Sequence, residues 1–529
     1  MTEFDYIVIG GGPGGCAVAG RLSEDPQVSV CLLEAGKDDD QMLIKVPFCT
    51  VAMLPTKINN WAFETVPQPG LNGRRGYQPR GKALGGSSST NAMVYNRGHR
   101  WDYDHWAALG NNGWSYQEVL PYFRKSEHNE VFQDEYHGQG GPLNVANLRS
   151  LNPFQEIYLT AAKQTGFKLT FDFNGADQEG IGIHQVTQKN GERWNAARAY
   201  LHPHLASRSN LQVITRAHAN RILFTGKRAS GVAFRQGGAI RTLQARREII
   251  VSAGAFQSPQ LLMLSGIGAA AVLQKFGIPV IHDLPGVGKN LQDHPDYVFN
   301  YTARSLDLVG LSLSGSWRLL KEMRRYRQQR AGMITTNFAE GGGFLRRTKD
   351  SPAPDFQLHF VIGMVDNHSR RLHWGHGYSC HVCLLRPKSI GTVSLASADP
   401  TAAPRIDPKF FDHPDDLAAM VDGFKLTRKL MDAPAFTSIR TGEVYTAGID
   451  SDAAIREELK NRSDTIYHPV GTCKMGIDAM AVVDPQLRVR GVEGLRVVDA
   501  SIMPTLIGGN TNAPTMMIGE KAADMIRSG

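Results

Sequence analysis

The sequence predicts a mixed α/β and α+β protein in two units, and three observations support this prediction. The chain has 529 residues, which is more than one hydrophobic core normally serves. Residues 5–36 have the pattern of a strand, a glycine turn, a helix and a second strand, which is typical of a Rossmann-like unit. Residues 355–363, 378–387 and 391–397 are short and strand-like, and they predict a mostly antiparallel sheet with helices in the second unit.

Composition narrows the class of protein. Hydrophobic residues make up 42% of the chain and charged residues 20%, as in ordinary globular proteins. The net charge of +8 is spread along the sequence, so we expect no nucleic-acid partner. Six cysteines are too few for a disulfide scaffold. The start of the chain has no basic leader and no apolar run reaches membrane-spanning length, so we expect a cytoplasmic protein.

One local segment departs from this diffuse charge pattern. Residues 316–330 place six basic residues around Trp317, Leu319, Leu320, Met323 and Tyr326 at roughly helical spacing. A basic amphipathic helix of this kind can lie on an anionic membrane surface. The alternative is a helix with one solvated face and one face packed on the protein. A peripheral position on the membrane is therefore one of two hypotheses for this segment.

The amino-terminal pattern carries the first functional signal. Gly10, Gly12 and Gly15 occupy the three positions of a G-x-G-x-x-G turn between the strand and the helix. Such glycines let the backbone approach a pyrophosphate, whose charge is met by the helix amino terminus. Glu34 ends the second strand, where a carboxylate binds ribose hydroxyls and disfavours a phosphorylated ribose. We predict dinucleotide binding and exclude NADP, with NAD and FAD both still open.

Two later segments favour FAD. Residues 79–98 contain a second glycine-rich stretch followed by a short apolar run, which lets a second part of a long, planar ligand approach the backbone. Residues 254–268 follow another strand and predict a crossover helix, with Ser258 as its N-cap and Pro259 at its first position. The turn before this helix is expected to face the same crevice.

Together these segments resemble the glucose-methanol-choline oxidoreductase family, which consists of FAD enzymes that oxidise alcohols. The resemblance covers nearly the whole chain. Its motifs lie at 5–36, 81–98, 254–268, 468–472 and 495–526. Within the family, the chain looks like the bacterial choline-dehydrogenase-like branch and is most similar there to the alkanol dehydrogenases.

The resemblance implies a set of cofactor-binding residues and a mode of attachment. The FAD-binding residues that it implies are Gly10, Gly12, Gly15, Glu34, Ala35, Trp61, Arg80, Gly81, Gly85, Gly86, Asn91, Ala92, Met93, Val94, Ala219, Ala253, Asp499, Ala500, Asn510, Thr511 and Thr515. Some relatives attach FAD through a histidine that precedes the signature asparagine, and this position is Thr90 here. The resemblance therefore implies non-covalent FAD. It implies no metal.

The resemblance also implies the catalytic pair. Its histidine base corresponds to His468, and histidine suits proton transfer at neutral pH because its ordinary pKa is about 6.5. Its partner, which orients the substrate oxygen, is assigned to Asn512. The other candidates, His99, His105 and His294, are expected to be packed or solvated.

Domain organisation and substrate follow from the same resemblance. The FAD-binding domain is expected to gather 1–150, 215–300 and 465–529, with 151–214 and 301–464 forming the substrate domain. Primary aliphatic alcohols are the expected substrates, with aromatic and polyether alcohols as alternatives. The expected electron acceptor is a quinone or another acceptor that is not oxygen, and a membrane quinone is one candidate. An oxidase that uses oxygen and a non-redox hydroxynitrile lyase remain alternative functions, and the sequence does not specify the oligomeric state.

Overall fold

The computed structural model describes residues 2–528, and its regular elements are as follows. The α-helices are α1 Pro13–Leu22, α2 Met42–Lys45, α3 Thr50–Met53, α4 Arg100–Ala108, α5 Tyr116–Ser126, α6 Phe154–Gln164, α7 Ala196–Tyr200, α8 Gly254–Leu264, α9 Ala270–Lys275, α10 Leu313–Gln329, α11 Pro414–Met431, α12 Pro434–Thr437, α13 Asp452–Arg462 and α14 Asn512–Ser528. Short 3-10 helices lie at Pro47–Cys49, Pro69–Leu71, Gly86–Ser89, Met333–Thr335 and Ala500–Ile502. The β-strands are β1 Glu3–Ile9, β2 Val30–Leu33, β3 Phe63–Glu64, β4 Tyr77–Gln78, β5 Glu127–Asn129, β6 Leu143–Val145, β7 Gly180–Ile183, β8 Gln188–Lys189, β9 Glu192–Arg193, β10 Leu211–Ile214, β11 His218–Thr225, β12 Arg228–Gln236, β13 Ala239–Val251, β14 Ile267–Gly268, β15 His282–Asp283, β16 Pro295–Ala303, β17 Gly310–Leu311, β18 Ala339–Leu345, β19 Phe356–Val361, β20 Gly375–Leu384, β21 Thr392–Ser394, β22 Arg405–Asp407, β23 Arg440–Val444, β24 Asp464–Thr465 and β25 Leu495–Val497.

The first large sheet is the predicted Rossmann-like unit. Its strand order is β10-β2-β1-β13-β12-β11, and β25 pairs with β13. The pairs β10/β2, β2/β1, β1/β13 and β13/β25 are parallel, whereas β12 pairs antiparallel with both β11 and β13. All residues of β1 after Glu3 are buried, because helices cover both faces of a parallel sheet. The strand, turn, helix and strand predicted over 5–36 are confirmed.

Helix α1 packs unusually close to its neighbours because its inner positions are small. A Cβ on Gly14 would lie 2.3 Å from the carbonyl oxygen of Val498, and one on Gly20 would lie 2.6 Å from that of Tyr200. Larger residues at these positions would push α1 away from the sheet and from α7. The carboxy-terminal helix α14 packs against α1, so the two ends of the chain belong to the same layer.

The second large sheet is antiparallel throughout, as the sequence predicts. Its order is β23-β16-β20-β19-β18-β7, with β17 beside β20 and β24 beside β16. Helices α6, α11, α12 and α13 enclose an aromatic core against it. Cys380 and Cys383, the C-x-x-C pair, are both buried in β20. Because strand side chains alternate, residues three apart point to opposite faces.

The sheets correct two of the predicted domain boundaries. The boundary at residue 300 falls within β16, whose pairing with β20 places it in the second sheet. Strand β10 was assigned to the substrate domain as part of 151–214, yet it pairs in parallel with β2 of the first sheet. The remaining division into two discontinuous domains stays a prediction.

Helix α8 begins earlier than the sequence predicts. It starts at Gly254, so Ser258 and Pro259 lie inside it rather than at its first turn. Proline cannot donate to the carbonyl four residues back, and this carbonyl, of Ala255, instead accepts a 2.5 Å hydrogen bond from the Thr472 hydroxyl. The same interaction ties α8 to the segment that carries His468.

Candidate active site

A cavity of about 650 Å³ runs between the two sheets. At one end lies the turn between β1 and α1, where Gly10 has a φ of +105° and a Cβ would be 2.3 Å from the Ser252 carbonyl oxygen. Gly12 caps α1 and lines the cavity. Gly15 does not line the cavity, because it faces the strand: its Cβ would lie 2.0 Å from the Gly10 carbonyl oxygen.

Glu34 ends β2 at the same edge of the first sheet. One carboxylate oxygen accepts a 2.9 Å hydrogen bond from the Gly11 amide and the other a 2.6 Å bond from the Gly36 amide. Burial raises the pKa of Glu34 to about 7, although both amide bonds oppose this shift. Each oxygen retains lone pairs, so the carboxylate is able to accept further bonds from ribose hydroxyls.

Most of the predicted cofactor residues meet in this one cavity. Those that line it are Gly10, Gly12, Glu34, Ala35, Trp61, Arg80, Gly81, Gly86, Asn91, Ala92, Met93, Val94, Ala219, Ala253, Asp499, Ala500, Asn510, Thr511 and Thr515. Gly85 joins Gly15 outside the lining, and its φ of +88° instead shapes the loop beside Asn195. Thr90 also lines the cavity.

Arg193, which the sequence analysis missed, anchors the loop at 85–94. It is fully buried, and its guanidinium donates to the carbonyls of Ile44, Ser88 and Asn91, to the Asn91 side chain and to the Thr50 hydroxyl. Burial lowers its pKa to about 9. A planar fork with five donors suits this role, and through it Arg193 holds two walls of the cavity together.

Arg80 provides an independent test of whether a large polar cofactor fits. The residue is half-buried, and Nη1 donates to the Tyr467 carbonyl at 2.9 Å. Nε and Nη2 have no hydrogen-bond partner within residues 2–528. Donors without a partner are costly when they are shielded from water, and Arg80 is one of the residues that line the cavity. A ligand that brings acceptor oxygens, as a dinucleotide does, satisfies them.

His468 lies at the far end of the cavity, on a segment held by distant parts of the chain. Gln292 and Val470 pair as an isolated antiparallel bridge. The backbone amide of His468 donates to the carboxylate of Asp293 at 2.9 Å, and that carboxylate also accepts from Thr465. Burial raises the pKa of Asp293 to about 7. The histidine is thus positioned by residues 290–294, which precede it by some 175 positions.

His294 determines which nitrogen of His468 is free. Nε2 of His294 lies 3.0 Å from the Leu385 carbonyl oxygen and 3.1 Å from that of Ile507. Carbonyl oxygens only accept, so this nitrogen carries the hydrogen, and a neutral imidazole has only one. Nδ1 of His294 is therefore an acceptor, and Nδ1 of His468, 3.1 Å away, is the donor. The remaining nitrogen of His468, Nε2, is left unprotonated at the cavity.

Burial keeps both rings neutral. It lowers the pKa of His294 to about 3. It also lowers the pKa of His468 well below 6.5, and His294 and Arg80 lower it further. A neutral imidazole with a bare nitrogen is the form that takes up a proton. The expectation that His294 is a packed residue is met by its complete burial, but it packs against the candidate base itself.

Asn512 stays the predicted partner of His468, but a different asparagine contacts the histidine in the structure. The side chain beside it is Asn510, whose Nδ2 lies 3.1 Å from Nε2 of His468. The Oδ1 atom of Asn510 accepts a 2.9 Å bond from Gln357, which turns the amide nitrogen toward the histidine. Asn512, the predicted partner, begins α14 and lines the cavity without a hydrogen bond to His468. Asn510 was predicted only as a cofactor residue.

Part of the cavity lining is apolar and comes from residues 48–54 and from the second sheet and its flanking residues. Phe48, Leu54, Phe338, Val361 and Met364 contribute to it. Two histidines interrupt this surface. His381 bonds to the Asp296 carboxylate at 2.7 Å, whereas His359 has no partner for either ring nitrogen within the described chain.

Three residues with left-handed backbone surround this end of the cavity. Met93, Phe338 and Tyr467 have φ values of 56°, 66° and 75°, a region that side chains rarely adopt. Such backbone costs of order 1–3 kcal/mol per residue and persists only where the surrounding structure enforces it. All three line the cavity, so part of the backbone strain in the chain lies where ligands bind.

A cavity built for a dinucleotide that ends at a neutral, buried histidine defines the class of cofactor-dependent oxidoreductases. Residues 4–296 match the amino-terminal model of the GMC oxidoreductase family and residues 387–519 match its carboxy-terminal model. The chain belongs to the GMC oxidoreductase family. The predicted resemblance is confirmed, and so is the cofactor, because members of this family are FAD-dependent flavoproteins.

Individual relatives agree with this assignment. An alcohol dehydrogenase [acceptor] of Pseudomonas putida is 46% identical over 99% of this chain and 95% of its own length. An oxygen-dependent choline dehydrogenase of Brucella anthropi is 42% identical, with the same coverage. A formate oxidase of Aspergillus oryzae, solved as a variant with effects on FAD modification, superposes with a TM-score of 0.91 at 29% identity over 100% of this chain and 98% of that one.

Proposed function

We propose that the chain oxidises primary aliphatic alcohols to aldehydes and passes the electrons to an acceptor other than oxygen. The observation that carries this proposal is the unprotonated Nε2 of His468, which lies at the cavity 3.1 Å from the amide nitrogen of Asn510. FAD, when bound, supplies the hydride acceptor. Oxidation of an alcohol also releases the hydroxyl proton, and the chain must supply a base for it.

His468 and Asn510 divide this task between them. When the alcohol binds, its hydroxyl takes the place of the Asn510 amide as donor to Nε2 of His468, and the amide then donates to the alcohol oxygen and orients it. As the hydroxyl proton moves to His468, one hydride leaves the adjacent carbon, and the carbon–oxygen single bond becomes the aldehyde double bond. His468 then carries two N–H groups, and the one on Nδ1 still donates to His294, which helps to hold the charged ring in place.

The wall of the cavity supports an uncharged, apolar substrate. Among the described residues that line it, only Glu34 and Asp499 carry carboxylates, and both already accept hydrogen bonds within the dinucleotide end. A quaternary ammonium group would therefore lack a free counter-charge near His468. This favours an alkanol over choline, although relatives named for either substrate are similar to the chain. Aromatic and polyether alcohols are further candidates for the same apolar wall.

The acceptor is the second half of the proposal. One relative is named as a dehydrogenase with an unspecified acceptor and another as oxygen-dependent, so an oxidase that makes hydrogen peroxide is the alternative. A quinone would suit an apolar cavity mouth. The purified holoenzyme in air with an alcohol separates the two: peroxide formed at the rate of alcohol consumption indicates the oxidase, and turnover only with an added quinone or dye supports the dehydrogenase.

A third candidate function for the same fold is the non-redox cleavage of hydroxynitriles, in which FAD takes no part in the reaction. Mixing the holoenzyme with a series of primary alcohols without oxygen tests this directly. We expect the visible flavin absorbance to bleach, fastest with linear alkanols and slowest with choline. A spectrum unchanged by every alcohol would contradict the proposed oxidation.

A further inference from the structure

The basic segment singled out in the sequence forms helix α10, and three of its apolar side chains point outward. Leu313, Trp317 and Leu320 are 81%, 71% and 58% exposed, and only Tyr326 is fully buried. Residues at these positions share one face of a helix, because they are spaced by four and three. Arg324 extends the same face by one more turn. An ordinary amphipathic helix turns its apolar face toward the core, as Leu319 and Tyr326 do here. The exposed apolar residues form a second face on α10.

Some cations of α10 form salt bridges and others, along this face, do not. Arg318 pairs with Asp307, and Arg330 pairs with Glu192. Lys321, Arg324 and Arg327 make no salt bridge within residues 2–528. We refer to Leu313, Trp317, Leu320, Lys321, Arg324 and Arg327 as the α10 face. Its first half is apolar and its second half is cationic.

The α10 face adjoins the mouth of the cavity. Leu311 and Leu372 line the cavity and are nevertheless 43% and 71% exposed, so they mark its opening. Leu311 forms a bridge with Trp374, which is also exposed. The Ser312 hydroxyl, which caps α10, bonds to His376 at 2.7 Å. The helix therefore begins at the rim of the opening, and its apolar half continues the apolar rim.

From this arrangement we propose that the α10 face docks the protein on an anionic lipid bilayer, with the cavity mouth toward the membrane. Tryptophan and leucine insert at the interface, and lysine and arginine bind the acidic headgroups. A second copy of the chain fits less well, because the α10 face carries three cations and no carboxylate, so a two-fold contact between two such faces would leave the cations without a counter-charge. Docking in this orientation would let an apolar alcohol or acceptor pass between the bilayer and the cavity.

Flotation of the holoenzyme with lipid vesicles tests this proposal. We expect binding to vesicles containing equal parts phosphatidylglycerol and phosphatidylcholine, little binding to phosphatidylcholine alone, and release of most of the protein in about 0.5 M salt. Trp317→Glu should weaken binding at least tenfold. Lys321→Glu combined with Arg324→Glu should weaken it by more than about 25-fold, because each cation near an anionic surface contributes about fivefold.

Two control variants distinguish a loss of docking by the α10 face from the effect of changing any exposed aromatic residue or charge. Phe171→Glu removes an exposed aromatic residue outside the α10 face, and Arg241→Glu reverses an exposed charge on the β12-β13 hairpin. Both should bind vesicles as the unaltered protein does. Trp317→Glu should also leave flavin reduction by a short soluble alcohol unchanged, which tests docking independently of the proposed reaction.

Three results would overturn the proposal. The first is failure of the unaltered holoenzyme to bind anionic vesicles at low salt. The second is equal loss of binding in Phe171→Glu and Trp317→Glu. The third is that Trp317→Glu dissociates an oligomer in sedimentation equilibrium while vesicle binding stays unchanged, which would make the α10 face a contact between copies.

Discussion

The imidazole rings of His294 and His468 meet nitrogen to nitrogen, with 3.1 Å between their Nδ1 atoms. Because two backbone carbonyls hold the hydrogen of His294 on its Nε2, the shared hydrogen belongs to His468. A residue that never reaches the cavity thereby sets the tautomer of the residue that does. We regard His294 as a positioning residue.

This relationship predicts opposite outcomes for two substitutions of His294. His294→Asn keeps an oxygen that can accept from His468 and a nitrogen that can donate to a carbonyl, so flavin reduction should stay within about tenfold of the unaltered rate. His294→Leu removes the acceptor and should slow reduction by about 10–100-fold, the usual effect of losing such a supporting contact. Rapid mixing with alcohol under anaerobic conditions measures both rates. Equal rates for the two variants would show that the ring merely fills space.

The choice between the two asparagines gives a second prediction. Asn510→Ala should slow flavin reduction by about a hundredfold, because it removes a donor aimed at the reacting oxygen. Asn512→Ala is the matched control: it lies two residues away, lines the same cavity and should change the rate little. The reverse order of the two effects would restore Asn512 as the partner of His468.

The pH dependence of flavin reduction follows from the lowered pKa of His468. Burial disfavours the charged ring, so the neutral, reactive form persists below the ordinary histidine value of 6.5. We expect a constant rate from neutral pH to well below pH 6.5, followed by a loss of activity as protonation of Nε2 removes the base. Stopped-flow rates across this range, in buffers that leave FAD bound, check the prediction. A rate that already falls by half at pH 6.5 would contradict it.

Thr90 predicts how FAD is attached. A threonine hydroxyl at the cavity wall offers no imidazole for a covalent bond to FAD, so acid precipitation should release all of the flavin into the supernatant. Absorbance of the supernatant and pellet at the flavin maximum measures this release. A yellow pellet after washing would indicate a covalent bond formed by some other residue.

The sequence predicted those features that local patterns encode. Glycine spacing, strand alternation and the acid at Glu34 indicated the Rossmann-like unit and its cavity, because each depends on residues within about 30 positions. The helix at 316–330 was also predicted, but its exposed apolar face was not, since which face of a helix is covered depends on its neighbours.

The features that the sequence did not predict depend on contacts between distant segments of the chain. Gln357 and Asn510 are separated by 153 positions, and His294 and His468 by 174, so no local pattern relates them. Counting residues from His468 could not separate Asn510 from Asn512. In the structure α14 begins at Asn512, and the segment before it places Asn510 beside the histidine. Ser258 was misplaced for a similar reason: Thr472, from another segment, satisfies the carbonyl that Pro259 leaves free.

The central claim is that His468 is the base for alcohol oxidation, and anaerobic flavin reduction in His468→Ala tests it most directly. The variant should purify with FAD bound and an unchanged visible spectrum, because His468 lies at the substrate end of the cavity. Reduction by a primary alkanol should then be slower by about 10²–10⁴-fold. Reduction at the unaltered rate, in protein with a full complement of FAD, would contradict the account.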